Sequence, residues 1–221
     1  MQPRPSRWPS NSCWNSAPPE VTKETVLVIA CGALAKEIVE LKRLNGWSHI
    51  KIQCLPAELH NRPEKIPGAV RAAIDKHRAD FEHLFVAYAD CGTGGALDKV
   101  LNEFGIERLA GAHCYEFYAG AAEFAALADD EPGTFYLTDF LTRHFDRLVK
   151  EGLGLDRHPE LMATYFGNYR RLVFLSQTDS AMLEQAAREC ADYLGLEYDY
   201  RHTGLEPVGH DLGEHVVRWQ N

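Results

Sequence analysis

Short apolar runs alternate with helical segments along almost the whole chain, and nearly every run ends in small, polar or ligating residues. Residues 26–30, Val-Leu-Val-Ile-Ala, are continuously apolar, the pattern of a strand buried on both faces. Gly32 marks a turn. Residues 33–44 then carry helical spacing through Leu34, Ile38 and Leu41, stopped by Asn45-Gly46. The same rhythm predicts strands over 50–55, 84–88, 106–110, 134–137, 171–176 and 196–201. It predicts helices over 68–81, 96–104, 115–127, 139 to about 150, 159–166 and, from a cap at Thr178-Asp179, up to Leu194. A long loop, 56–67, follows the second strand. Such βαβα order argues for an α/β fold, a mainly parallel sheet with helices on both faces in Rossmann-like layers.

The expected organisation is a single α/β domain over 23–204 between two tails. Residues 1–22 are rich in Pro, Ser and Asn without periodicity and read as a flexible, disordered extension; residues 205–221 read as a polar C-terminal tail. Cys13, in the first tail, has no specific role in this reading.

Composition excludes several classes. The chain has 221 residues, 45% hydrophobic and 25% charged, with a net charge of -9. No basic stripe is present, which argues against nucleic acid as a partner. No apolar run approaches the ~18 residues of a membrane span. The basic start lacks an apolar stretch behind it, unlike a secretory signal. A cytoplasmic location is therefore expected, where cysteines serve as metal ligands, catalytic thiols or core fillers more often than as disulfides. Six cysteines are too few for a disulfide scaffold of this length.

Three of those cysteines share one context. Cys31 closes the first apolar run, Cys91 follows the third, and Cys114 follows the fourth, each just before a helix start. The carboxyl ends of parallel strands share one edge, where ligands bind, so three thiols sent there from three strands would meet. Thiolates suit zinc, iron–sulfur clusters and copper(I). Three thiolates with a histidine close a zinc site; three with water or substrate leave a position open. No Cys-x-x-Cys spacing is present, so the argument is topological, and core packing is its competitor. Cys54, inside a strand, and Cys190, on a helix face, read as packing residues.

Other strand ends carry candidate chemistry. His60, in the loop after the second strand, and His113, beside Cys114, are candidate ligands or acid–base groups. Asp90 and Glu116 are candidate proton carriers with them. Gly92, Thr93, Gly94 and Gly95 form a glycine-rich turn that is either a tight strand-to-helix connection or one whose N–H groups would cradle an anionic group of a substrate; no Gly-Lys-Ser/Thr follows, so it is not a P-loop. Capping alone accounts for Asp139 and Asp179, and a polar tail for His202, His210 and His215. Tyr115, Phe117 and Tyr118 read as an aromatic wall or as core.

These blocks resemble the domain-of-unknown-function 1638 family. The matching stretches are Ala30-Cys31-Gly32-Ala33-Leu34, Leu59-His60-Asn61, Asp90-Cys91-Gly92, Gly111-Ala112-His113-Cys114-Tyr115-Glu116, Leu137-Thr138-Asp139-Phe140-Leu141 and Gln177-Thr178-Asp179. The resemblance brings no established activity with it. It implies one shared site for the three cysteines, His60 and the Tyr115-Glu116 pair. Through the gene neighbourhoods of such proteins it also implies a link to corrinoid-dependent methyltransferase components and one-carbon metabolism. In layout only, three cysteines from separate subdomains resemble quinolinate synthase.

The leading expectation is a metal-binding protein holding zinc or an iron–sulfur cluster through Cys31, Cys91 and Cys114, with His60, water or a small-molecule substrate at the fourth position. Its role would be catalytic or accessory. Two alternatives stand beside it: a metal-free enzyme with a cysteine nucleophile acting on a small anionic substrate, and a non-catalytic partner of a corrinoid methyltransferase.

Overall fold

The structure, a computed structural model, describes residues 24–219. The expected N-terminal tail, with Cys13, lies outside the described residues. The α/β expectation holds: the strands form two all-parallel sheets joined by helices. The first sheet has the order β2-β1-β3-β4, from β1 Glu24–Cys31, β2 Ile50–Leu55, β3 Phe81–Ala87 and β4 Glu107–Arg108. The second has the order β5-β6-β7, from β5 Thr134–Thr138, β6 Arg171–Ser176 and β7 Glu197–His202. The reading of one sheet thus divides into two. The fourth strand is only two residues long and pairs only with β3, so the first sheet ends there.

The helices are α1 Ala35–Leu44, α2 Ile66–His77, α3 Ala96–Phe104, α4 Tyr115–Ala119, α5 Ala121–Asp130, α6 Asp139–Arg143, α7 Leu161–Phe166, α8 Ala181–Leu194 and α9 Glu206–Val216. Val26 to Ala30 are at most 3% exposed, as a continuous apolar run in a central strand requires. In β6 the pleat divides neighbours between two cores: Val173 and Leu175 join the core of the first sheet, while Leu172 and Phe174 face the α8 side with Leu183 and Ala187. The second sheet is therefore covered on both faces.

Several expectations are corrected. The helix expected over 115–127 breaks at Gly120, whose φ of 81° and ψ of 146° leave the helical region at little cost only for glycine. The helix expected from 139 to about 150 ends at Arg143 and resumes as a π-helical turn, Asp146–Glu151. There the Asn61 side chain donates to the Leu148 carbonyl at 2.7 Å, and a side chain inserted into a helical ladder disturbs it. Ser180, rather than Thr178-Asp179, caps α8 through the Leu183 N–H.

The largest correction concerns the polar tail. Residues 206–216 form α9, with Pro207 in its first turn and Val208, Leu212 and Val216 buried. These residues recur every four positions, the spacing of one helical stripe. That stripe belongs to the core containing Leu41, Trp47 and Phe85. His215 stacks on Phe85 at 4.5 Å between ring centres. Leu212→Ala is expected to lower stability by about 2–5 kcal/mol, measured by the urea midpoint, because Leu212 is fully surrounded. A loss under about 0.5 kcal/mol, the level of ordinary surface changes, would restore the tail reading.

No described helix is long and apolar enough to cross a membrane.

Candidate functional site

The carboxyl ends of β1 and β3, with the loops that follow β2 and β4, converge on one crevice. Cys31 ends β1, and Gly32 follows it against the end of β2: a Cβ on Gly32 would stand 2.9 Å from the Leu55 carbonyl oxygen. Only glycine lets the two chains approach this closely. The loop 57–61 then carries His60 over the edge. It is tied to the second half of the chain by Asn61 on Leu148 and by the Glu58–Arg147 ion pair.

After β3 the chain passes Tyr88, Ala89 and Asp90 to Cys91, which has φ 50° and is the one non-glycine residue with positive φ among those described. That left-handed conformation costs roughly 1–2 kcal/mol and is held by its surroundings. The Cys91 N–H donates to the Ala112 carbonyl at 2.9 Å, which joins this turn to the segment bearing His113 and Cys114.

Cys31, Cys91, Cys114, His60 and Tyr88 line a single crevice with about 10 Å³ of free space, about that of one water. The topological expectation for the three thiols is therefore met in position. Cys54 and Cys190 are free thiols elsewhere, Cys190 in the α8 core. Among the described residues, however, no three of His, Cys, Asp and Glu stand as a formed metal-binding set. The thiols share a crevice without coordination geometry.

The electrostatics of the three sulfurs differ. The Cys114 thiol, hydrogen-bonded to Cys91, together with nearby backbone groups, pulls the Cys91 pKa below that of an ordinary thiol despite desolvation. The same bond to Cys91, then burial, drives Cys114 well up. Burial pushes Cys31 up to about 11. In the metal-free protein Cys91 is the first of the three to ionise as pH rises. Iodoacetamide should therefore modify Cys91 before Cys31 and Cys114, with a rate that climbs through a pKa below that of an ordinary thiol. Peptide mapping across a pH series checks this, and earlier labelling of Cys31 would contradict it.

Tyr88 is 2% exposed, and its hydroxyl has no nitrogen or oxygen partner, only the Cys31 sulfur beside it. Burial and the thiols around it push its pKa up, so it stays a neutral donor. A buried hydroxyl whose one partner is a sulfur, a weak acceptor, is under-paired in a way native proteins seldom leave. Nothing in its sequence context, the end of an apolar run, distinguishes it from core.

The crevice opens to a cleft of about 460 Å³ through Cys91, Cys114 and His60. Desolvation by the surrounding walls and the neighbouring His113 lower the His60 pKa, although the residue is exposed toward the cleft; its ring is able to accept a proton or a metal. Tyr115 meets His60 at 3.5 Å from hydroxyl to Nε2. His113 is exposed and lines the cleft with it. Tyr115, Phe124 and Tyr136 form a continuous wall, with ring centres 5.5 and 5.1 Å apart. Tyr118 instead lies in the core, its hydroxyl donating to the Ala33 carbonyl.

Asp90 and the glycine turn are reassigned. The Asp90 carboxylate accepts from Thr93 Oγ1 at 2.7 Å, Gly94 N–H at 3.0 Å and Gly95 N–H at 2.8 Å. These bonds, led by Thr93, hold its pKa below the usual carboxylate range. The turn's donors are thus spent on its own aspartate, so Thr93, Gly94 and Gly95 have no anion cradle to offer. Asp90 shapes the loop and does not carry protons. Gly92 alone of the four lines the cleft. Glu116 folds back over Gly111, where an added Cβ would meet its Oε2 at 2.1 Å, and it lines neither crevice nor cleft.

A family profile described as protein of unknown function (DUF1638) matches residues 54–210, more than half of the chain. No curated protein and no solved structure matches it.

Proposed function

The chain belongs to the DUF1638 family, whose function is unknown, so its role has to be argued from its own side chains, and we propose that Cys31, Cys91 and Cys114 bind a thiophilic metal, either zinc or an iron–sulfur cluster. The observation that carries this reading is the meeting of the three thiols and the buried Tyr88 hydroxyl around one small space. Three anionic sulfurs are tolerable in such a place only with a cation among them, and a neutral hydroxyl beside them is suited to donate to a thiolate or to a metal-bound ligand. Because the thiols are not in coordination geometry, binding requires them to turn toward a common centre. His60 stands on the cleft side, where a fourth ligand or substrate would enter. The metal would supply Lewis acidity at that open side. His60 and His113 would move protons there, and Tyr115 would orient the His60 ring.

Anaerobic purification with metal and acid-labile sulfide analysis tests the reading. A brown protein with sulfide indicates a cluster, a colourless one with stoichiometric zinc a mononuclear site, and a metal-free protein rejects both. An accessory or catalytic place beside corrinoid methyltransferase components, in the cytoplasm, extends the proposal; a pull-down with such components tests it.

A second reading has one observation in its favour. Cys91 stands in a strained left-handed conformation at the mouth of the cleft with a neighbouring thiol as hydrogen-bond donor, an arrangement suited to a nucleophile. His60 would be its base. Full activity in chelated protein, lost on Cys91→Ser alone, would favour this reading over the metal.

A further inference from the structure

The cleft beside the cysteine crevice carries its own information about what it holds. Its 460 Å³ is the size of a small-molecule site. No Lys, Arg, Asp or Glu lines it, and its polar groups are the two histidines, the thiols and a few hydroxyls. The Arg171 guanidinium, which reaches Thr134 of the lining, is already committed: it holds Asp130 at 2.7 Å and donates to Thr134 Oγ1 and the Leu127 carbonyl. A strong anion would find no free partner there, and neither would a primary ammonium.

One polar group in the wall is poorly paired. Tyr136, in β5, is 8% exposed and lines the cleft; its hydroxyl is buried and makes no hydrogen bond of good geometry, with Thr134 as its polar neighbour. Thr134 lies on the same face of the strand, but its hydroxyl donates to the Glu131 carbonyl at 2.6 Å and accepts from Arg171. A buried hydroxyl costs roughly 1–3 kcal/mol when nothing pairs with it. The surrounding surface is aromatic: Tyr115 and Phe124 flank Tyr136, with Tyr169 at the exposed rim.

We infer that the cleft binds an uncharged aromatic or heteroaromatic molecule bearing a carbonyl-type acceptor, its ring against Tyr115 and Phe124 and its acceptor on the Tyr136 hydroxyl, which must turn from its buried position toward the cleft to meet it. Such a guest supplies the missing hydrogen bond and buries its ring against edges and faces that favour offset or edge-on aromatic contact. It replaces the small anionic substrate expected from the glycine turn. The inference deepens the proposed centre, on which it rests for the meaning of the guest as a substrate; binding itself does not require the metal.

Benzamide, benzoate and benzylamine, of similar size and differing in charge, are suitable probes for the full-length protein by saturation-transfer NMR and calorimetry. Benzamide is expected to bind at least about fivefold more tightly than either ion. Tyr136→Phe, which removes only the hydroxyl, should weaken benzamide about three- to tenfold while leaving the circular-dichroism spectrum unchanged. Tyr169→Ala, at the rim, tests the ring contact and should also weaken it; because Tyr169 packs on Phe135 and Phe166, its circular-dichroism spectrum must likewise be unchanged. Benzoate or benzylamine binding as well as benzamide, no binding of any probe, or benzamide affinity unchanged in both variants would overturn the inference. Metal content measured on the same samples separates the two claims. Benzamide binding to a metal-free wild type removes the metal and keeps the cleft; a metal-loaded protein indifferent to benzamide does the reverse.

Discussion

Alanine in place of any one of Cys31, Cys91 or Cys114 is expected to strip the anaerobically purified protein of its metal, while Cys54→Ala and Cys190→Ala keep it. Structural zinc sites bind with about 10–16 kcal/mol shared among their ligands, so one lost thiolate removes about 3 kcal/mol or more, over a hundredfold in affinity. The control pair separates ligation from general damage, because Cys54 and Cys190 are also free thiols but stand outside the crevice. Tyr88→Phe tests the surrounding shell: it should retain metal with affinity lowered about tenfold, the lower end of the range for lost outer partners. Bound metal should also raise the thermal midpoint, since only the folded chain brings the three sulfurs together. Equal metal content in all three cysteine variants and the wild type would sink the proposal.

Asp139→Ala is expected to cost about 3–5 kcal/mol of stability, the loss typical of one partner removed from a buried charged network. Asp139 is fully buried at the start of α6. Its carboxylate accepts from the Gln177 N–H at 3.1 Å and the Thr178 hydroxyl at 2.5 Å, with Arg143 at 3.6 Å. In return the Gln177 side chain accepts from the Asp139 N–H at 2.9 Å. This reciprocal pair knits the carboxyl ends of β5 and β6, and alanine would leave the Gln177 and Thr178 donors buried or half-buried without partners. Asp139→Asn retains an acceptor and should cost less. Urea denaturation measures both. A loss under about 1 kcal/mol for Asp139→Ala would mean that the network contributes little.

The Asp139 network also bounds what local reading achieves. Capping explains an aspartate at a helix start, and that much was visible in sequence; that this one also bridges to residues 177 and 178 depends on β5 and β6 lying side by side. Asp90 is the converse. A carboxylate two residues before a run of glycine and threonine has two local fates, a proton carrier at an anion cradle or the acceptor that closes the turn, and sequence does not choose between them. The folded turn does, because three donors within five residues point at its oxygens.

Alternation of apolar runs and helical stripes was enough to establish parallel strands, their order along the chain and the thiols at three of their ends. These properties follow from periods of two and 3.6 residues and from the handedness of βαβ connections, which are local. Division into two sheets, docking of α9 beneath the first, the poorly paired hydroxyls of Tyr88 and Tyr136 and the uncharged cleft were decided only by tertiary packing. Each depends on what faces a side chain from a distant segment: Val208 and Leu212 look like scattered apolar residues until Leu41 and Trp47 cover them, and Tyr88 and Tyr136 look like core until the neighbours of each hydroxyl are seen. Burial is a property of pairs of surfaces, and a single stretch of chain carries only one of them.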